Sequence, residues 1–163
     1  MNNFDLLSVF MEDPSLFPDA DIVCNLIGFI FAAIETTQFV SQTITTHLTQ
    51  SQESREKLRK EFKQVIADPA IAEDPSLADL SKGEFLDKVV THETSQELEF
   101  ATWVMQEALR FKPSVATSVF YLAEQEIKLS KYTFQKDDKL IVNIQGLGHN
   151  PAEWQRPMEF LPE

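Results

Sequence analysis

The chain has 163 residues, enough for one domain with a substantial core or for part of a larger one, and its 43% apolar and 25% charged content is that of a globular protein. Thirteen phenylalanines against four glycines favour packed helices over a turn-rich β architecture. The net charge of −12 argues against a wide nucleic-acid surface, which needs clustered Lys and Arg, and the single cysteine, Cys24, excludes an internal disulfide and a Cys-based zinc site.

Residues 4–11, "FDLLSVFM", read as a short amphipathic helix stopped by "EDPSLFPDAD". The start, "MNNFDLLSVFMEDPS", lacks the basic residues and long apolar run of a secretory signal. Asp19 or Asp21 is placed to cap a helix from Ile22 to about His47. Its first half is apolar nearly all round, the pattern of a helix buried through a core. The longest apolar run, "IVCNLIGFIFAAI", falls short of the roughly 18 to 20 residues that span a bilayer, so no membrane span is expected.

Inside this helix sits "FAAIETTQ", with an acid and two β-branched alcohols, Glu35, Thr36 and Thr37, where burial of an unpartnered polar group costs several kcal/mol. Two readings stay open on the residues alone. A mid-helix Thr can bond back to the carbonyl four residues earlier while Glu35 turns to solvent. Alternatively the turn presses on a reactive centre, with Ala32 and Ala33 as its thin side and the acid and alcohol as a proton relay.

A second helix, "TQSQESREKLRKEFKQVIAD", carries Ser51 as N-cap, Glu53 in its first turn, and i,i+4 pairs Glu53/Lys57 and Glu56/Lys60. Its inner stripe is Leu58, Phe62 and Val65. Residues 68–83 read as a polar connector and "GEFLDKVVTH" as another short helix. "TSQELEFATWVMQEALRFKP" is predicted helical, with Thr94 and Glu97 as capping box, a stripe at Leu98, Ala101, Met105, Ala108 and Leu109, and Pro113 as its stop.

Within that helix Glu107 and Arg110 form Glu-x-x-Arg. The same spacing recurs at Glu56/Arg59 and Glu153/Arg156, so the spacing alone is cheap. The instance at 107 differs because apolar residues flank it, and a buried ion pair there demands further partners. Beyond it the period changes to two, and "VATSVFYLA", "EIKLSKYTF" and "KLIVNI" read as strands, the last two joined at "QKDDK". "GLGHNPAEWQRPMEFLPE" reads as an irregular packed segment. His47, His92 and His149 lie far apart in sequence, so no metal site made by this chain's own side chains is expected.

In their order, "FAAIETTQ", "REKLRKEF", "MQEALRFKPSV", a hairpin and "HNPAEWQRPMEFLPE" resemble the cytochrome P-450 family of haem-thiolate monooxygenases. The last stretch, with His149-Asn150-Pro151, Trp154, Pro157, Phe160 and Pro162-Glu163, is similar to the family's approach to its Pro-Glu-Arg-Phe element. The fold implied is mainly α with a small β-sheet, and residues 1–163 would be an incomplete portion of one cytochrome P-450 domain. That portion would lack the N-terminal part and the loop with the axial cysteine, expected beyond Glu163, so the chain would be inactive alone. Cys24 precedes the oxygen-groove helix and cannot serve as the ligand.

The activity implied is haem-dependent insertion of one oxygen atom from O2 into an apolar organic substrate, with electrons drawn from NADPH through a reductase. By resemblance Ala32, Ala33 and Thr36 form the oxygen groove against the haem. Thr36 would hydrogen-bond the bound oxygen and Glu35 would help deliver protons for O–O cleavage. Ala33 stands where the family most often has Gly, so its methyl would narrow the groove. Glu107 and Arg110 match the family's structural ion-pair network, with an arginine beyond Glu163 as third member. Phe31, Ile34, Val115, Ala116 and Thr117 are the implied substrate contacts. Phe120 and Tyr121 stand near where the family brings a basic residue to a haem propionate, and neither is basic. An upstream anchor would place the protein at the endoplasmic reticulum membrane, and its absence would leave it cytoplasmic. The alternatives are a truncated or decayed helical relative that binds no haem, and an unrelated helical interaction module. The latter predicts a surface-exposed Glu107–Arg110 pair and a solvent-facing Glu35.

Overall fold

The computed structural model describes residues 5–11 and 17–163, which divide into two compact units, Met1–Phe39 and Val40–Glu163. In the first, α1 (Leu6–Met11) starts on Asp5, whose carboxylate accepts from the Ser8 amide at 2.8 Å and the Ser8 hydroxyl at 2.9 Å. These bonds hold the Asp5 carboxyl below its ordinary value. Phe4, where the predicted helix begins, and residues 12–16 of its predicted stop lie outside the described residues. Phe10 packs edge-on against Phe17, ring centres 5.1 Å apart.

The long helix α2 (Asp19–Gln50) carries both Asp19 and Asp21 in its first turn, where they favour the positive end of the helix dipole. The Pro18 carbonyl accepts from the Asp21 and Ile22 amides. Ile22 is buried, but Val23, Ile27, Phe29, Ile30, Phe31 and Ile34 are each 49% to 62% exposed, against the expectation of a core helix. An all-round apolar pattern registers how much of a helix needs cover, not where the cover comes from. By length and composition α2 is also apolar enough to cross a membrane. Counting only the uninterrupted apolar run misses this.

In the second unit, Arg55 closes the end of α2 by donating to the Leu48 and Thr49 carbonyls. α3 (Gln52–Phe62) starts as predicted, with Ser51 accepting from the Ser54 amide, and Glu53 pairs with Lys57 at 3.0 Å. Glu56 instead accepts from Gln52 Nε2 at 2.7 Å. After a wider π-helical turn, Lys63–Ala67, the predicted polar connector turns out helical, as α4 (Asp68–Glu73) and a 3-10 turn, Pro75–Asp79. Pro75 opens its 3-10 turn, where the missing N–H costs nothing, and Pro69 is the second residue of α4, which runs on from the π-helical turn, so neither proline ends a helix here. α5 (Lys82–Val89) is capped by a Ser81–Glu84 box. Ile66, Leu77 and Val89 form a buried cluster, with Phe62, Val65 and Phe85 packed against it.

The capping box predicted at Thr94 and Glu97 is displaced by one turn. Thr91 and Thr94 cap the short α6 (His92–Ser95), and α7 (Glu99–Phe111) starts without a side-chain cap from Leu98. Its first amides are served from another helix: Glu61 of α3 accepts from Phe100 N at 2.6 Å and Ala101 N at 3.0 Å. The buried face of α7 is Phe100, Val104, Glu107 and Ala108, whereas Met105 and Leu109 of the predicted stripe are exposed. An apolar stripe skips Glu107, and that omission rotates the predicted face.

β1 (Tyr121–Leu122) pairs antiparallel with β4 (Lys139–Leu140), and a Thr117–Asn143 bridge continues the pairing. β2 (Ile127–Leu129) pairs with β3 (Tyr132–Phe134), so the stretch read as one strand is a hairpin of its own. Its turn holds Ser130 at φ 54°, a left-handed conformation usually taken by Gly or Asn. α8 (Ile144–Gly148) is capped by Asn143, so Ile144 of the predicted last strand and Gly146–Gly148 of the segment predicted irregular are helical, and the irregular stretch is residues 149–163.

Candidate functional site

Glu107 and Arg110 stand three residues apart on α7 and meet as a bidentate pair: Nε donates to Glu107 Oε2 at 2.6 Å and Nη2 to Oε1 at 2.7 Å. Their side chains are 8% and 9% exposed, which contradicts the surface pair that an unrelated interaction module predicts. The other guanidinium hydrogens go to backbone oxygens at the end of α8 and in the irregular segment after it. Nη1 donates to Gly148 O at 2.6 Å and Pro157 O at 2.9 Å, and Nη2 to Glu159 O at 2.9 Å. Arg has five N–H donors, so all five are engaged. Glu107 Oε1 also accepts from the Leu161 amide at 2.7 Å. The pair therefore pins the whole stretch from Gly148 to Leu161 onto α7. A cavity of about 400 Å³ opens beside it, lined by Trp103, Gln106, Trp154, Arg156 and Glu163 among others.

Next to this node lies an aromatic cluster. His47, in the last turn of α2, stacks on Phe160 at 4.3 Å with the rings 3° from parallel, and meets Phe111 edge-on at 4.9 Å. His149 also packs against Phe111, rings tilted and centres 5.7 Å apart, and its Nε2 lies 2.8 Å from the Phe111 carbonyl. Burial lowers the His47 imidazole below its ordinary value, the Lys112 charge lowers it further, and Glu107 opposes both. On acidification the unfolded chain takes this proton first, near its ordinary value of about 6.5, so stability is complete above that pH and falls below it. Urea midpoints are expected to drop from about pH 6.5 downward. In His47→Phe that part of the slope should vanish, and an unchanged slope would remove His47 from the account.

On α2, Phe31, Ile34 and Glu35 share one face, Ala32 and Thr36 the adjacent one. Glu35 is exposed, Thr36 half-buried, and the Thr36 hydroxyl donates to the Ala32 carbonyl at 2.7 Å. This is the back-bonded geometry of the first reading, in which the hydroxyl oxygen still has lone pairs free to accept. Ala32 and Ala33 leave a thin exposed surface beside Thr36 that suits a flat cofactor. Iron ligation is another matter. Cys24 is exposed eleven residues before Glu35, roughly 16 Å along the helix at 1.5 Å per residue, and cannot reach a metal held over that turn. Among the described residues no group of three or more His, Cys, Asp and Glu side chains could hold a metal.

Val115, Ala116 and Thr117, the expected substrate contacts of the second unit, are exposed, with the Ala116 carbonyl accepting from the Gln145 amide at 3.0 Å. Phe31 and Ile34 belong to the first unit and are likewise exposed. Sequence reasoning missed the partners of Arg110 because backbone carbonyls have no side-chain signature. It named Trp154 only as part of the stretch that resembles the family, not as a neighbour of Arg110, and it passed over Gly148, whose signal was its place in a Gly-, Pro- and Trp-rich stretch without periodicity.

The family model described as Cytochrome P450 matches residues 1–163. Similar curated proteins include "Steroid 17-alpha-hydroxylase/17,20 lyase" of Rattus norvegicus, 26% identical over 163 residues, covering 100% of this chain and 29% of the relative. "Trans-cinnamate 4-monooxygenase" of Cicer arietinum is 28% identical over 132 residues, covering 81% of this chain and 23% of the relative. The chain thus spans less than a third of the length of these relatives. Among solved structures, a zebra fish cytochrome P450 with progesterone superposes with a TM-score of 0.65 at 19% identity, over 80% of this chain and 27% of that one. That likeness bears on the fold, which is the mainly helical one with small antiparallel sheets expected from the sequence.

Proposed function

This chain belongs to the cytochrome P450 family, and from that premise we propose that it works as part of a haem-dependent monooxygenase that inserts one oxygen atom from O2 into an apolar organic substrate. Its relatives, by name, include a steroid hydroxylase and a cinnamate monooxygenase. Residues 1–163 are read as a portion of one domain, supplied with electrons from NADPH through a reductase. The observation that carries this reading is the turn at Ala32–Thr36, a thin surface with a hydroxyl and a carboxylate at the end of the apolar first half of α2.

Haem, when bound, supplies the activation of oxygen. Ala32 and Ala33 would lie against it, because only small side chains let a flat ring approach the helix. Thr36 holds a proton on Oγ1, parked on the Ala32 carbonyl. Turning the hydroxyl away from that carbonyl would free the proton, and Glu35, an exposed carboxylate able to take a proton from solvent, would replace it. Phe31 and Ile34 beside them would exclude water and contact the substrate, since proton delivery is selective only in a dry site, and Val115, Ala116 and Thr117 are read as the substrate contacts of the second unit. We read α2 as this helix and not as a membrane span, because a carboxylate at a helix centre in lipid costs about 2.5–3.5 kcal/mol.

The test is to isolate the protein by a tag on its own gene and record the spectrum of the reduced, carbonyl-bound form. A red-shifted Soret band of thiolate-ligated haem is expected. Thr36→Ala should then retain the haem while product formed per O2 consumed falls by about 10²-fold, the scale of one lost proton-transfer group. Protein that carries no haem would return the reading to the non-catalytic helical relative.

A further inference from the structure

We propose that Trp154 is a positioning residue for Arg110, acting through the face of the guanidinium and not through its edge. The edge is full, since all five N–H groups have oxygen partners. What remains is contact with π-faces: Arg110 Cζ lies over the Trp154 ring, 5.2 Å from its centre, and over the Phe111 ring at 5.8 Å. An aromatic face attracts a cation, competes for none of its in-plane hydrogen bonds, and keeps water from approaching from above.

The indole is not free to drift. Its Nε1 donates to the Leu147 carbonyl at 3.1 Å, one residue before the Gly148 carbonyl that Arg110 itself holds. The Trp154 amide bonds Asn150 O at 3.0 Å, closing the turn after α8. Two residues on, Arg156 takes a left-handed φ of 48°, and the chain beyond it presents Pro157 O and Glu159 O to the same guanidinium. Trp154 thus sits between the two backbone stretches that Arg110 gathers, covering the cation while tied to one of them. This role rests on the Glu107–Arg110 geometry and holds whether or not haem binds.

The test uses the full-length protein and two variants that separate the aromatic face from mere bulk. The readout is amide exchange at Leu161, whose N–H bonds Glu107 and not Trp154. Trp154→Leu is expected to speed that exchange about threefold to fivefold, the scale of a partly exposed cation–π contact. Trp154→Phe, which keeps a π-face but loses the Nε1 bond, should stay within about twofold of the parent. Equal acceleration in both variants would assign the effect to the Leu147 bond and overturn the proposal, as would no acceleration in either. A double-mutant cycle of Trp154→Leu with Arg110→Met guards against general loosening. Coupling of about threefold or more in the unfolding constant is expected, and additive effects would also overturn it.

Discussion

Arg110→Ala lowers the unfolding free energy by about 3–5 kcal/mol, and Glu107→Ala by a similar amount, on the expectation that removal of one member strands the other as a buried, unpaired charge. The cost is not that of a surface ion pair, for which about 0–1 kcal/mol is usual. Both side chains are more than nine-tenths covered, and six hydrogen bonds converge on the pair, four of them to backbone groups of residues 148–161. Arg110→Lys should recover little, because an ammonium has three donors in place of a planar set of five. The double variant Glu107→Ala/Arg110→Ala should cost clearly less than the sum, since each single change leaves a charge that the double does not. Urea unfolding of the four proteins measures this. Single losses below about 0.5 kcal/mol with no coupling would place the pair among ordinary surface contacts.

Much of this arrangement is legible in the sequence, and the parts that are not share a cause. Ser51 as a cap, the Glu53–Lys57 pair and the helix through "QEALRF" are local facts, set by residues within one turn of each other, and local patterns report them well. The start of α7 is not local. It is capped from thirty-nine residues away by Glu61, so the local capping signal near Thr94 belongs to the box of a different, shorter helix. The prolines at 69 and 75 look like breakers because whether a proline sits early in a helical turn or ends one depends on the backbone around it. "EIKLSKYTF" hides a turn at Ser130, where neither Gly nor Asn marks the left-handed residue.

The candidate site divides in the same way. The Glu107–Arg110 pair is readable from flanking apolar residues, and its demand for further partners is correctly inferred from the cost of a buried charge. The identity of those partners is not readable. The resemblance supplies an arginine beyond Glu163; in the described residues the demand is met by three carbonyls and one amide of the segment after α7, which any sequence can provide. At Glu35 and Thr36 the residues leave two geometries open, and the back-bonded one is present, a resting arrangement that the proposed proton delivery would have to leave.

Gly148→Ala should be as damaging as loss of the ion pair itself, though it removes no polar group. A Cβ at this position would press on the Arg110 carbonyl oxygen, well inside contact distance, with the Arg110 carbonyl carbon at 3.3 Å and Cγ at 3.5 Å behind it. The neighbour is helix backbone, which cannot swing aside, so α8 must lift from α7. Lifting it withdraws the Gly148 carbonyl from Arg110 Nη1, and a lost bond to a charged donor adds about 1.5–3 kcal/mol to the 1–3 kcal/mol of overpacking. A total of about 2.5–6 kcal/mol by urea unfolding is the expected result. Two other glycines isolate the cause. Gly146→Ala meets only the Asn143 side chain, which can rotate away at the cost of a cap, about 1 kcal/mol. Gly28→Ala, inside α2 with nothing within 4 Å, should stabilise by up to about 1 kcal/mol through helix propensity alone. If all three behaved alike, the approach of α8 to α7 would not be what makes Gly148 necessary. The predicted order instead makes a single missing methyl group the condition for Arg110 to reach the backbone it binds.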